Sequence, residues 1–409
     1  MKSKKQIFFY LVWIVLGLFT TCTSPTGKLQ DGIWRGELAV VDKQAPFLFE
    51  VQNAETDSAV VTLINGEERV PLTGIQYVAD TVFIPIESYD AVLKAKVSKD
   101  KLEGRFIKNY IENDLGVPFK AERGDVSRFE AIDHPTSFSI DGKWDVFFIN
   151  AKNDTTRNVG IFKTENQIVT GSILTNSGDL RFLEGALTKQ GVVLSAFSGL
   201  SPYLIEINVK DSDSFEGTFY TARSQTKLVG IRNNQAALGD AYSLAQLKPG
   251  FSTLSFALPN TDGQIISLHD ERYKDKVVIV SILGSWCPNC LDELKDLAPW
   301  YAANKDRGVE VIGLAFERKN DLDYARKAIN RLKEKYNVGY EILFAGQANG
   351  ETVAKVLPEI ENFGGYPTTI FIDKTGKVQK IHTGYNGPAT GLFYEEFQQE
   401  FNQLINSLL

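Results

Sequence analysis

Thiols and imidazoles are scarce in this chain. Its 409 residues include three cysteines, Cys22, Cys287 and Cys290, and three histidines, His134, His269 and His382. A structural zinc site takes about four ligands. The histidines are scattered and no second cysteine pair accompanies them, so metal binding finds no donor set. There is also no low-complexity tract and no long run of like charge; the net charge of -7 is spread along the chain. That distribution argues against a phosphate-tracking surface, and so against nucleic acid as the main partner. What is present, 43% hydrophobic and 23% charged residues, is the composition of a folded globular protein. Single cores seldom grow past about 250 residues, so the length calls for two or three domains.

A membrane-spanning helix needs about 20 apolar residues, and the almost uninterrupted apolar run at residues 7–19 has only 13. Behind Lys2, Lys4 and Lys5 this run reads as an export signal, with an uncleaved anchor as the weaker reading. The following Leu18-Phe19-Thr20-Thr21-Cys22 resembles the lipobox of bacterial lipoproteins, with Thr21 where Gly, Ala or Ser is usual and Phe19 where Leu is usual. The resemblance implies a lipoprotein-type signal peptide over residues 1–21, acylation of Cys22, and a lipid anchor on the periplasmic side of the cell envelope. An ordinary signal peptide with an incidental cysteine is the alternative.

If Cys22 carries lipid, Cys287 and Cys290 are the whole thiol inventory of the mature protein and can pair only with each other. Closing a loop this small gains little entropy, so a stabilising role explains the pair poorly and reactivity explains it better.

From residue 31 to about 232 the chain is a succession of short alternating runs broken by Gly, Asn and Asp, the pattern of antiparallel hairpins. An internal repeat lies within it. Asp31-Gly32-Ile33-Trp34 recurs as Asp141-Gly142-Lys143-Trp144, and Leu102-Glu103-Gly104-Arg105-Phe106 recurs as Phe215-Glu216-Gly217-Thr218-Phe219, at offsets of 110 and 113 residues. Two similar all-β modules follow, residues 31–124 and 138–235, each a small barrel or sandwich. The Gly-x-Trp start and Glu-Gly-x-Phe close loosely resemble lipocalin-type barrels. Trp34 and Trp144 read as core aromatics, and no ionisable cluster in the modules has catalytic spacing, which leaves docking or spacing as their role.

From residue 250 onward strands alternate with amphipathic helices. Residues 277–283 form a continuous apolar run of the kind found in a buried central strand, and Trp286-Cys287-Pro288-Asn289-Cys290 follows directly. Residues 292–304 read as helix, 309–316 as strand, 369–373 and 378–382 as a hairpin, and 393–408 as a closing helix, a thioredoxin-like order for an α/β domain over residues 250–409. A cysteine between a buried strand and a helix start meets unpaired backbone amides and the positive end of the helix dipole. Since the thiolate is the attacking species, Cys287 is the expected nucleophile and Cys290, one turn on, the resolving thiol.

Residues 251–409 resemble the TlpA/ResA-type thiol-disulfide oxidoreductases of the thioredoxin superfamily. The resemblance is carried by Phe256-Ala257-Leu258 with Asp262-Gly263, by Lys276-Val277-Val278-Ile279-Val280 before the cysteine motif, by Gly364-Gly365-Tyr366-Pro367-Thr368-Thr369, and by Phe371-Ile372-Asp373-Lys374-Thr375-Gly376-Lys377. It implies that Pro367 is a cis-proline beside Cys287. A proline there removes a donor and fixes the chain, leaving the Tyr366 backbone to pair with an extended substrate segment. Thioredoxins carry a buried Asp six residues before the first cysteine, where this chain has Ser281. The family places a Glu three residues after the second cysteine, and Glu293 stands there, on the helix face of Cys290. Glu293 is therefore expected to exchange the proton of the buried thiol. Ile282-Leu283-Gly284 in place of the usual Phe-Trp-Ala, and a long stretch at residues 320–357, depart from the pattern without touching the thiols.

These readings imply a cofactor-free, extracytoplasmic thiol-disulfide oxidoreductase whose partners are exported protein thiols or disulfides and a membrane or periplasmic electron donor. A reducing direction is favoured by the resemblance alone. A peroxiredoxin would need a Thr and a Pro ahead of the first cysteine, which residues 282–286 lack. The reading from another class is a membrane-tethered binding protein in which the β modules carry the main role.

Overall fold

The computed structural model describes residues 27–124, 127–130 and 138–409; Cys22 and the expected signal segment lie outside these residues. Strand formation in the first half follows from alternation. Gly32–Val40 buries every second side chain from Trp34 to Val40, as a sheet with one face on a core requires. Among the described residues, nine strands between Gly32 and Arg123 form one antiparallel sheet. It meanders outward from the pairing of its first strand, Gly32–Val40, with its last, Val117–Arg123, and ends on Glu68–Leu72 and Gln76–Val78.

The second module, Gly142 to Arg232, also has nine strands among the described residues and the same first-to-last pairing, but its Leu183–Leu187 strand pairs with Ile168–Thr175, a contact that the first module lacks. Here Thr155–Glu165 also pairs with Ile168–Thr175, which closes eight strands into a barrel and leaves the short strand Gly178–Asp179 as an extension of one hairpin. Of the two architectures expected, the barrel is therefore the one this module adopts. The repeat reaches individual side chains. Trp34 and Trp144 are both fully buried, and their indole N–H groups donate to the carbonyls four residues upstream, Gln30 at 3.0 Å and Ile140 at 2.8 Å. Each tryptophan lies opposite an arginine of its module's last strand, Arg123 or Arg232, whose guanidinium donates to the carbonyl of Asp31 or Asp141. The recurring Asp-Gly-x-Trp is thus a plug with its own backbone latch.

The third unit is built on a five-stranded sheet. Its order is Glu341–Gln347, Val309–Glu317, Val277–Leu283, Thr368–Ile372 and Val378–Thr383; the first three are parallel and the last two antiparallel. All seven residues of the central strand Val277–Leu283 are buried, because helices cover both faces of a parallel sheet. Val277, Ile279 and Leu283 face one apolar cluster and Val278, Val280 and Ile282 the other. Helix α1 (Pro288–Asn304) begins four residues ahead of the segment its apolar pattern marks, because Pro288 occupies its first turn. α2 (Leu322–Tyr336) and α3 (Gly350–Val356) account for the long stretch after residue 320, and α4 (Leu392–Leu408) closes the fold. Residues 233–248, a helix or linker by sequence, hold a single 3-10 turn and the strand Gln246–Leu247, which pairs with Ile360–Glu361. The α1-side cluster runs on into the first β module, so the units share buried surface.

Candidate functional site

The fully buried strand Val277–Leu283 delivers the chain to Gly284, and the turn that follows puts Cys287 at the N-cap of α1. Its sulfur accepts a hydrogen bond from the backbone N–H of Cys290 at 3.3 Å, replacing the oxygen that a Ser or Asp cap would supply. Both cysteines are free thiols and both are buried, Cys287 being 5% and Cys290 1% exposed. Burial, then the hydrogen bond and charge of Cys287, and finally Glu293 push the Cys290 thiol well up. The two sulfurs are thus unequal: one caps the helix, and the other is held protonated behind it.

Across from the cap the Tyr366–Pro367 peptide bond is cis, and Cys287 Sγ stands 3.6 Å from the carbonyl oxygen of Tyr366. The Tyr366 ring packs edge-on against Trp286 at 5.3 Å between centroids. The Trp286 indole N–H donates to the Phe316 carbonyl at 2.9 Å, and the Arg318 guanidinium lies 4.1 Å over its ring. The structure therefore brings Cys287, Cys290, Tyr366 and Pro367 to one place.

Glu293 sits one turn beyond Cys290 and is 6% exposed. Ser281 donates to its Oε2 at 2.8 Å, and Thr369 of the Thr368–Ile372 strand donates to its Oε1. Burial raises its pKa to about 7 even though both hydroxyl donors pull the other way. A carboxyl that titrates near neutrality beside a buried thiol can take and return a proton.

Sequence reasoning missed two further elements. Glu317, at the end of the Val309–Glu317 strand, is fully buried and accepts from the Ser285 backbone N–H at 3.1 Å and hydroxyl at 2.7 Å; burial brings it, too, to about 7. A carboxylate closing an apolar run, Val311-Ile312-Gly313-Leu314-Ala315-Phe316-Glu317, was the available signal. The second element comes from the barrel: Arg181 donates to the Pro288 carbonyl at 3.0 Å and pairs with Asp292 at 2.5 Å and with Glu68 of the first module. No local pattern marks these residues, because they meet only when three units are packed together. Among the described residues, no group of acidic, His or Cys side chains is placed to hold a metal ion.

Residues 249–381 match the model of the AhpC/TSA family. Curated relatives include thiol-disulfide oxidoreductase ResA of Halalkalibacterium halodurans, 26% identical over 160 residues, 39% of this chain and 77% of the relative. The ResA of Bacillus subtilis is 28% identical over 138 residues, 34% of this chain and 69% of the relative. The C-terminal unit is a thioredoxin-like thiol-disulfide oxidoreductase domain. Similar solved structures include a thioredoxin-family thiol:disulfide interchange protein from Chlorobium tepidum, 21% identical, covering 40% of this chain and 98% of its own, TM-score 0.30. A thiol-disulfide oxidoreductase from Bacteroides fragilis is also 21% identical, covering 36% and 99%, TM-score 0.28. All these matches fall on the oxidoreductase domain.

Proposed function

We propose that the chain is an extracytoplasmic reductant of disulfides in exported proteins, tethered through lipid on Cys22, in which Cys287 attacks and Cys290 resolves. The observation that carries this reading is the position of Cys287 Sγ, which caps α1 and lies 3.6 Å from the Tyr366 carbonyl beside cis Pro367. The Cys287 thiolate attacks one sulfur of the substrate disulfide and releases the other as a thiolate, which takes up a proton. Cys290, giving its proton to Glu293, then attacks Cys287 Sγ; the second substrate thiol leaves and the Cys287–Cys290 disulfide remains. The substrate has gained two electrons, and an external dithiol donor restores the enzyme. Tyr366 offers backbone for an extended substrate segment to pair with.

The test is a redox titration of the purified protein with insulin reduction in parallel, in the wild type and Cys287→Ser. A titratable two-electron couple and insulin reduction, both lost in the variant, are expected. Intact cysteines with neither activity would overturn the reading.

A further inference from the structure

The surface through which Cys287 must meet a protein is already occupied. The barrel strand Ile168–Thr175 turns at residues 176–177 into Gly178–Asp179, and this turn lies on the cysteine motif and the loops beside it. The Asn289 side chain, between the two cysteines, donates to the Asp179 carbonyl at 3.3 Å. The Asp179 carboxylate accepts from the Gly387 N–H at 2.7 Å. The fit is close on both sides. A Cβ on Gly178 would lie 1.9 Å from Asn289 Nδ2, and one on Gly384 would lie 2.7 Å from the Asn176 carbonyl oxygen. At Gly365, next to Tyr366, the Ser177 Cβ is within 3.4 Å of a Cβ position. The tip thus lies against Asn289 and against Gly365 beside Tyr366, and Cys287, within the same motif, is 5% exposed.

The contact is fastened by charge. Arg181, two residues beyond Asp179, bonds Asp292 and the Pro288 carbonyl on α1 and reaches back to Glu68. All three side chains are at most 10% exposed. A buried ion cluster of this kind is costly to break at one member, because the remaining charges lose their partners inside the protein. Beside it is a cavity of about 200 Å³ of mixed lining, which includes Ser177, Asp179, Arg181, Phe182, Leu200 and Asn289. The cavity leaves room at the seam without room for a folded partner.

We propose that the 176–181 hairpin of the barrel is a lid on the substrate groove, and that exchange with a protein disulfide proceeds only from an opened state in which this hairpin has left α1. The proposal rests on Cys287 being the attacking thiol. It assigns the second β module a role at the active site: it screens Cys287 by partner size, admitting a small reagent far more readily than a protein. The substrate class that follows is an extended or unfolded segment, able to enter as the hairpin lifts.

Alkylation of the reduced full-length chain tests this, scored by mass spectrometry on the peptide carrying Cys287. Two probes are used, iodoacetamide and a maleimide carrying a polyethylene glycol chain. In the native wild type the polymer probe should react about a hundredfold more slowly than in the urea-unfolded chain, because it must wait for the minor open state, and iodoacetamide only about tenfold more slowly, because it passes the closed seam. Gly178→Ala, a wedge against Asn289, and Arg181→Gln, which unfastens the cluster, should each speed the polymer reaction about tenfold. A native wild type slowed equally towards both probes overturns the lid whether or not either variant folds. Folded variants that leave the polymer rate unchanged also overturn it. Disulfide formation by Cys287 and Cys290 in a small-thiol redox buffer is measured separately, so loss of the exchange reading is distinguishable from loss of the lid.

Discussion

Ser281 donates its hydroxyl hydrogen to Glu293 at 2.8 Å. The serine stands where thioredoxins place a buried aspartate on the strand, and the acid it binds comes from α1. The carboxylate is reached from the neighbouring element, and the strand residue becomes its donor. A hydroxyl that steadies the charged form and a burial that opposes it together leave Glu293 near pH 7.

The proton exchange proposed for Glu293 makes a pH-dependent exchange rate the expected outcome. The wild-type rate should rise as pH passes through about 7, where the carboxylate becomes able to accept a proton. Glu293→Gln should be slower by about 10²-fold or more and lose that inflection. Stopped-flow thiol exchange from pH 5 to 9 measures both.

The same group sets a stability slope. Its folded pKa lies above the unfolded value, so the stability it contributes is full below about 4.5 and is lost as pH rises through about 7. Glu317, also raised to about 7, adds in the same direction. Urea denaturation should show Glu293→Gln gaining stability relative to the wild type at pH 8 and not at pH 4, by an amount on the order of 3 kcal/mol or less.

Glu317→Ala should loosen the turn before Cys287. It strands the Ser285 N–H and hydroxyl, at a cost of about 1–3 kcal/mol for buried donors left unpaired. The Trp286 side chain rides on the same turn, with its N–H on the neighbouring Phe316 carbonyl. Tryptophan fluorescence should shift and the exchange rate fall, while Glu317→Gln, which keeps an acceptor for Ser285, should retain most of both.

Cys290→Ser removes the thiol proposed to resolve the mixed disulfide. The variant should accumulate a mixed disulfide between Cys287 and a protein substrate, seen as a mass adduct that dithiothreitol releases. Cys287→Ser should accumulate none.

Trp144→Ala should cost about 3–5 kcal/mol, the range for deleting a large buried aromatic. Thermal unfolding measures it. Trp34→Ala should behave alike, since both indoles are fully buried and latched to the carbonyl four residues upstream.

What was legible in the sequence was what local periodicity encodes. The run 277–283, apolar at every position but Ser281, identified the central strand because a strand buried on both faces reads as a near-continuous apolar run, and the Asp-Gly-x-Trp repeat marked two β units because each tryptophan latches within its own turn. The thioredoxin-like order followed from the same kind of signal. The site was only partly legible. Cys287 and Cys290 stand out by scarcity and Glu293 by its spacing from Cys290. Glu317 is distant from them in sequence and becomes a neighbour through the parallel pairing of its strand with the central one. The Asp179 and Arg181 contacts escaped altogether, because docking between modules leaves no period in either. The start of α1 was placed late, since Pro288 and Asn289 interrupt the apolar pattern although proline suits a first helical turn.

The ion cluster has a consequence for the order in which the molecule matures. Its members are residues 68, 181 and 292, one from each unit, and a ribosome produces them in that sequence. Glu68 and Arg181 come first, and Asp292 lies beside the cysteines themselves. Both β modules, and the arginine that docks them, thus precede the reactive dithiol along the chain, so the shelter for the thiols comes first wherever the chain emerges from its N-terminus.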